Sequence, residues 1–302
     1  MRAKRARAFT LMVLTAAGLL GCGDESDPAP RSEVTVMTFN VLCSFCSGDY
    51  DPWDERLSYF GDIFERHDPD LLGLQELTWP DEVDELLALR PGFAAVYFEG
   101  DEPGPLSFTD YPDATILYRT ARFSLQERGS YWLSPTPEQA WSAGFADGQL
   151  PRLVAWARLR ESETGRDLLF VTTHVDNNTP SQEKSAPLIL ERTEPWALQM
   201  PVLMTGDFNS QTYDPAYEIL VEGADGQGFH FENAFDFAQA WSIDTNQDPV
   251  PEYDVPGRID HIFVAGEGAR WTCPQWTVDM RVYGDEDRYP SDHRAIVAEL
   301  TF

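Results

Sequence analysis

Residues 201–210 read PVLMTGDFNS, a short apolar run that hands over at once to Asp207 and Asn209. Val202 to Thr205 has the length and composition of a buried strand, and the polar residues that follow mark its end. The same handover recurs along the chain. Asn40 ends VTVMTFN, Glu76 follows LLGLQ, and His174 follows LFVTT. Asp260 and His261 stand at the head of an apolar run after Arg258, and Asp292 and His293 precede AIVAEL. Strand ends at one rim of a sheet can converge, and groups mounted on strands are held rigidly. Any one of these residues alone reads as an ordinary turn or edge residue; the set reads as a site.

Outward from these runs the signals alternate. Val34–Val41 and Leu71–Leu74 read as strands, with a helix between them that starts with Asp51 as N-cap and Pro52 at N1. Leu57, Phe60, Ile63, Phe64 and His67 keep helical spacing, and Asp68-Pro69-Asp70 ends the run. A second helix is expected from Pro80 to about Arg90. Further strands are expected at Ala114–Tyr118, Arg122–Glu127, Leu153–Arg160, Leu168–Val175, Ile259–Val264, Trp271–Met280 and Arg294–Leu300. Helices are expected near Ser181–Leu198, with Pro187 inside it, and Asp214–Val221. Many strands with a few amphipathic helices imply an α/β (α+β) fold with sheet packed on sheet and helices outside. Residues 33–302 show no second linker and no internal repeat, so one domain is expected there.

The first 22 residues read as an address. Arg2, Lys4, Arg5 and Arg7 precede an apolar stretch from Ala8 to Leu20, too short to span a bilayer comfortably. Leu19-Leu20-Gly21-Cys22 resembles the lipobox of bacterial lipoproteins, which implies lipidation at Cys22, an exported chain anchored to the cell envelope, and a tether over residues 23–32. The whole chain carries a formal charge of −29, and removing the address takes four of the 22 basic residues and none of the 51 acids, leaving −33. Such a surface repels polyanions on average, so no stable nucleic-acid partner is expected. Arg152, Arg158, Arg160, Arg281, Arg288 and Arg294 remain as material for a local basic patch. Of the remaining cysteines, Cys43 and Cys46 read as a structural disulfide, half a zinc site or a redox pair, and the pairing among Cys43, Cys46 and Cys273 stays open.

The segments TFNV, GLQE, TTHVD, TGDFNS, RIDHIFV and SDHRAIVAEL, in this order, resemble the motif set of the endonuclease/exonuclease/phosphatase superfamily from Val34 to Leu300. The resemblance implies a DNase I-like four-layer sandwich: two packed, mostly antiparallel β-sheets flanked by helices. It also implies Mg2+, with Mn2+ or Ca2+ as alternatives, held among Asn40, Glu76, Asp207, Asn209 and Asp292. Hard oxygen ligands of this kind suit such an ion. His174 and His293 match the histidines that flank a scissile phosphate, Asp207 matches the residue that orients or deprotonates water, and Asp260 and Asp292 would each orient a histidine. Asn209 and Arg152 are the expected phosphate contacts. A second acidic metal ligand falls on either Asp110 or Asp113, with neither spacing decisive.

The implied activity is metal-dependent hydrolysis of a phosphodiester or phosphomonoester by in-line attack of activated water. A small phosphate ester, nucleotide or phospholipid headgroup suits the acidic surface better than a polymer; a secreted nuclease is the alternative within the same chemistry. A catalytically inactive surface binding module is the alternative of another class. A monomer is expected. No Walker loop, GxSxG elbow or HExxH occurs, which removes those chemistries.

Overall fold

In the computed structural model, residues 31–46, 48–100, 113–145, 150–266 and 268–302 are described. The expected signal segment, Cys22, most of the tether and Asp110 lie outside them. Residues 31–302 form one compact unit.

Two sheets account for the architecture. The first has seven strands: β1 (Glu33–Asn40), β2 (Leu71–Gln75), β3 (Phe93–Val96), β4 (Thr115–Arg119), β10 (Trp241–Asp244), β12 (Thr272–Asp279) and β13 (Ile296–Thr301), in the order β10-β12-β13-β1-β2-β4-β3. The second has six: β5 (Phe123–Trp132), β6 (Leu153–Glu161), β7 (Asp167–His174), β8 (Val202–Asp207), β9 (Glu232–Asn233) and β11 (Asp260–Ala265), in the order β5-β6-β7-β8-β11-β9. Pairing is mostly antiparallel; β1–β2, β7–β8 and β10–β12 run parallel. Helices α1 (Trp53–His67) and α2 (Pro80–Leu89) join strands of the first sheet, and α3 (Thr179–Ala197) and α4 (Pro215–Glu222) follow strands of the second.

Strand alternation explains the layers. Val34, Val36, Leu71, Ile116, Phe170, Leu203 and Ile262 face inward between the sheets in one apolar cluster. The opposite faces pair Met37, Phe39, Leu72 and Leu74 with Phe60, Ile63 and Phe64 of α1. Val171, Val202 and Met204 pack with Ile189 and Leu190 of α3 in the same way. The result is helix, sheet, sheet, helix, as the superfamily resemblance implies.

Several local expectations need correction. Pro52, not Asp51, is the N-cap of α1, because Asp51 is engaged by the Tyr59 hydroxyl at 3.0 Å and Arg288 at 3.2 Å. Helix α3, by contrast, forms as expected with Pro187 inside it, and continues through Pro195 as well. Each interior proline costs about 3 kcal/mol, and the buried face built on Ala186, Ile189, Leu190 and Ala197 offsets it. β5 continues five residues past its expected end; a register shift between Leu125 and Glu127 changes the alternation there. Beyond that shift Trp156 lies across Gly129, occupying the space that a side chain there would need.

At the centre, Gly73 of β2 lets the sheets approach. A Cβ at this position would overlap Thr205 Oγ1 and Thr172 Oγ1 of the facing sheet, and the neighbouring Gln75 Nε2 donates to Thr172 Oγ1 at 3.0 Å. Gly73→Ala is therefore expected to lower stability by about 1–3 kcal/mol through overpacking. Gly61→Ala, in α1, meets only Leu89 at an ordinary 3.6 Å and is expected to gain up to about 1 kcal/mol from helix propensity. Urea midpoints of the two variants check both signs.

Candidate active site

The sheet registers bring the polar strand ends into two facing rows. In the first sheet, Asn40 ends β1 opposite Gln75 at the end of β2, with Glu76 one residue beyond. Leu74 pairs with Thr115, which sets Asp113 beside Glu76, and Thr38 pairs with Ile296, which sets Ser291–His293 beside Asn40. In the second sheet, His174, Asp207 and Asp260 lie side by side, because His174 pairs with Asp207 and Asp260 pairs with Asp207. Arg152 immediately precedes β6 next to His174.

Hydrogen bonds stitch the rows together. Asn40 Nδ2 donates to Glu76 Oε1 at 2.9 Å and to Asp207 Oδ2 at 3.0 Å, joining carboxylates of opposite sheets. Asp207 Oδ2 also lies 3.4 Å from His174 Nε2 and 3.5 Å from His293 Nε2. Behind the imidazoles, His293 Nδ1 donates to Asp260 Oδ2 at 2.7 Å and His174 Nδ1 to Asp113 Oδ1 at 2.9 Å. Arg152 NH1 lies 2.8 Å from His174 Nδ1 and 3.2 Å from Asp113 Oδ2. Nδ1 cannot both accept from the guanidinium and donate to the carboxylate, and the Asp113 anion between two cations fixes it as a donor.

The backbone around the site is unusual. Leu42, Glu76 and Asn209 all have positive φ, at 59°, 68° and 48°. Non-glycine residues rarely adopt this region, and such strain persists only where the surroundings enforce it. At Leu42 the enforcement is visible. Fully buried Arg56 donates to the carbonyls of Leu42 at 3.0 Å, Cys43 at 3.1 Å and Pro290 at 3.3 Å, and to that of Val41. This clamp lies beneath the loop that follows Asn40. Nothing in its residue type announced it, since an arginine on α1 reads as solvated surface.

Electrostatics follow from these pairings. For Asp113, burial pushes the carboxyl up, but the charges of His174 and Arg152 and the Glu76 N–H outweigh it and bring it down to about 2. Burial and Arg152 push His174 down, and Asp113 and Asp207 more than offset them, so its imidazole is raised. Burial likewise disfavours charge on His293, but Asp260, Asp207 and Asp292 hold it up at about 10. Burial drives the Asp260 carboxyl up; it remains the anion of the pair because its partner is the imidazolium at 2.7 Å.

Not every expected residue has the expected surroundings. Asp292 is exposed and accepts from Ser291 Oγ at 3.2 Å, while the same hydroxyl binds the Asn40 carbonyl at 2.7 Å. It orients no histidine: that task falls to Asp113 for His174 and Asp260 for His293. Asp113, read from sequence as one of two alternatives for a metal ligand, has both oxygens occupied by His174, Arg152 and the Glu76 N–H. Asn209 donates its side-chain amide to the Val175 carbonyl at 2.9 Å and its backbone N–H to Asp207 Oδ1 at 2.9 Å. Alternation along β11 turns His261 away from the rim. There Nε2 donates to the Ser210 carbonyl at 2.9 Å, and burial and Arg258 bring the ring down to about 3, a neutral core residue. The expected arginine patch is spent elsewhere: Arg158 and Arg160 pair with Asp167, Arg281 with Asp244, and Arg288 with Asp51. Cys43 and Cys46 form a disulfide, and Cys273 is a buried thiol that burial pushes up to about 12.

The donor set suits a hard divalent cation. Ligand atoms of Asp207, Asp260 and His293 lie within 4.8 Å of one another, Oδ1 of Asp260 is buried without a hydrogen-bond partner, and the Glu76 carboxylate is joined to Asp207 through Asn40 Nδ2. The other His–Asp group, His67 with Asp244 and Asp279, has the Arg66 guanidinium bound between its carboxylates and is an ion-pair network.

Comparison with known proteins identifies the family. The Endonuclease/Exonuclease/phosphatase family pattern matches residues 37–293. A protein of this family from Bacteroides thetaiotaomicron has a similar structure, with TM-score 0.76 and 25% identity, covering 91% of this chain and 97% of that one. A mannosyl-6-phosphatase from the same organism gives 0.74 and 26%, covering 89% and 100%. The CCR4-Not complex 3'-5'-exoribonuclease subunit Ccr4 of Schizosaccharomyces pombe is 22% identical over 93% of this chain, which spans about half the length of that relative (51%).

The His293–Asp260 pair has a defined pH signature. With the folded imidazole at about 10 and the unfolded one near 6.5, its stabilisation is complete below about pH 6.5 and is lost as pH rises through 10. In metal-free protein the stability difference between wild type and His293→Gln is expected to be flat from pH 5.5 to 6.5 and to shrink toward pH 10. A difference that grows with pH would contradict the pairing.

Proposed function

The chain belongs to the endonuclease/exonuclease/phosphatase family, and from that membership we propose that it is a divalent-cation-dependent phosphoesterase acting on a small phosphate ester. The observation that carries this reading is the convergence of Asn40 Nδ2, His174 Nε2 and His293 Nε2 on Asp207 Oδ2 within 3.0–3.5 Å. N–H donors gathered around one carboxylate oxygen form a place where a phosphate oxygen can be received and a water can be deprotonated beside it.

Glu76 is the proposed principal carboxylate for Mg2+, with Asp207 facing the same space and Asn40 holding the two together. A bound ion of this class neutralises phosphate charge and lowers the cost of charge build-up on oxygen. The remaining roles belong to the chain. Asp207 takes a proton from the attacking water. His174 and His293, held protonated, donate through Nε2 to non-bridging oxygens as negative charge grows. Asp113 and Asp260 fix the two rings by their Nδ1–H bonds, and Arg152, beside His174, adds positive charge on the phosphate side.

Two features support a small substrate. The formal charge of −29, with Arg158, Arg160, Arg281 and Arg288 each paired to a carboxylate, disfavours a long polyanion. The similar structure of a mannosyl-6-phosphatase supports a low-molecular-weight ester. Likeness to an exoribonuclease favours a nuclease as the second reading. Export and envelope anchoring through Cys22, and a monomeric state, belong to the proposal as well.

Hydrolysis of bis-p-nitrophenyl phosphate is expected with Mg2+ or Mn2+ and to vanish with a chelator. His174→Ala and Asp207→Ala should each lower kcat by about 100-fold or more, with the folded state checked by circular dichroism. A parallel panel of sugar phosphates, nucleotides, phospholipids and RNA separates the two readings. Absence of turnover on the whole panel with either cation would contradict both and favour a binding module.

A further inference from the structure

Beside the catalytic rim, against Glu76, Asp113, Arg152 and His174, lies a cavity of about 240 Å³. Glu76, Asp113, Arg152 and His174 form its charged wall; Cys43, Phe45, Cys46, Leu77, Thr78 and Leu150 form the rest of its described lining. The catalytic chemistry uses the first group and leaves the second unexplained.

Apart from Thr78 the second group is apolar, and part of it stands in water. Phe45 is 57% exposed and Leu150 39%. Seven large hydrophobic residues are exposed among the described residues, and two of them meet at this one cavity next to charged groups. Apolar surface kept in water at the edge of a polar site recovers free energy when a ligand covers it. The disulfide closes the loop that carries Phe45, and the Cys46 N–H donates to the Cys43 carbonyl at 3.1 Å. The same loop is anchored from below by Arg56 NH2 on the Cys43 carbonyl at 3.1 Å, and sideways by the Cys43 N–H on Glu76 Oε2 at 3.1 Å. Phe45 is therefore held in register with the carboxylate proposed for the cation, so that a group resting on it is fixed relative to the phosphate.

We propose that this cavity is a specificity pocket for a planar, apolar ring carried on the phosphate ester, with Phe45, the Cys43–Cys46 disulfide, Leu77 and Leu150 as its contacts. This rests on the phosphoesterase reading and deepens it by naming the substrate's organic half. An aromatic face and sulfur atoms suit a flat polarisable ring, and benzene is known to fill apolar cavities of about 150 Å³. The apolar wall provides few hydrogen-bond partners for the hydroxyls of a bare sugar, which disfavours such an occupant. The phosphate of the same molecule then lies toward Arg152 and His174.

Calorimetric titration of the full chain in Mg2+ with phenylphosphonate and methylphosphonate tests this directly, because both carry the same phosphate mimic. Wild type is expected to bind the phenyl compound at least about tenfold more tightly. Phe45→Ala and Leu150→Ala, both at partly exposed positions, are each expected to pull that ratio toward one. Equal affinities in wild type, or a preference indifferent to both substitutions, would overturn the pocket while leaving the phosphate site in place. If neither phosphonate binds and no phosphoester is cleaved, the phosphoesterase reading fails, and this inference fails with it.

Discussion

One side-chain amide joins the two halves of the molecule at the place where chemistry is proposed. Asn40 Nδ2 bonds Glu76 of its own sheet and Asp207 of the facing one, at 2.9 and 3.0 Å. Two carboxylates brought together without a cation repel, and the amide N–H groups partly neutralise that repulsion while fixing the separation of the rims. The construction beneath makes it possible. Gly73 allows the sheets to close, Ser291 ties the β13 approach to the Asn40 carbonyl, and Arg56 gathers the carbonyls of the loop beyond it.

Much of this was legible in the sequence because strand ends are easy to see. An apolar run followed at once by Asn, Glu, His or Asp names both the element and the rim, and Asn40, Glu76, His174, Asp207, Asp260 and His293 all gather where that pattern implied. What the pattern lacks is register. Asp110 and Asp113 are equivalent by spacing; only the pairing of Leu74 with Thr115 sets Asp113 against Glu76 and His174. His261 shows the same limit: it is one residue from Asp260, and alternation along β11 turns it into the core. For Asp292 the pattern misses only which carboxylate orients each histidine.

Other misses have different physical causes. β3, with only four residues after a Pro-Gly turn, and β10, an edge strand with Trp241 half exposed, lack the apolar alternation that marks a buried strand. Arg56 was invisible because its guanidinium is held by backbone carbonyls distant in sequence rather than by a paired acid nearby in sequence. The disulfide was one of three readings of Cys43 and Cys46, and only the loop's geometry selects it. The large negative charge was legible from the start, and the structure gives its local counterpart: cations are consumed in pairs over the surface, while Arg152 and two raised imidazoles are kept at the rim.

The central claim is that the joined rims hold one divalent cation for phosphoester chemistry. A crystal of the protein soaked in Mn2+, with anomalous scattering recorded, tests it most directly. The account predicts a single strong peak bonded to the Glu76 carboxylate and facing Asp207, lost in Glu76→Gln. A strong peak only at the His67–Asp244–Asp279 network, or none at the rim at saturating Mn2+, would contradict it.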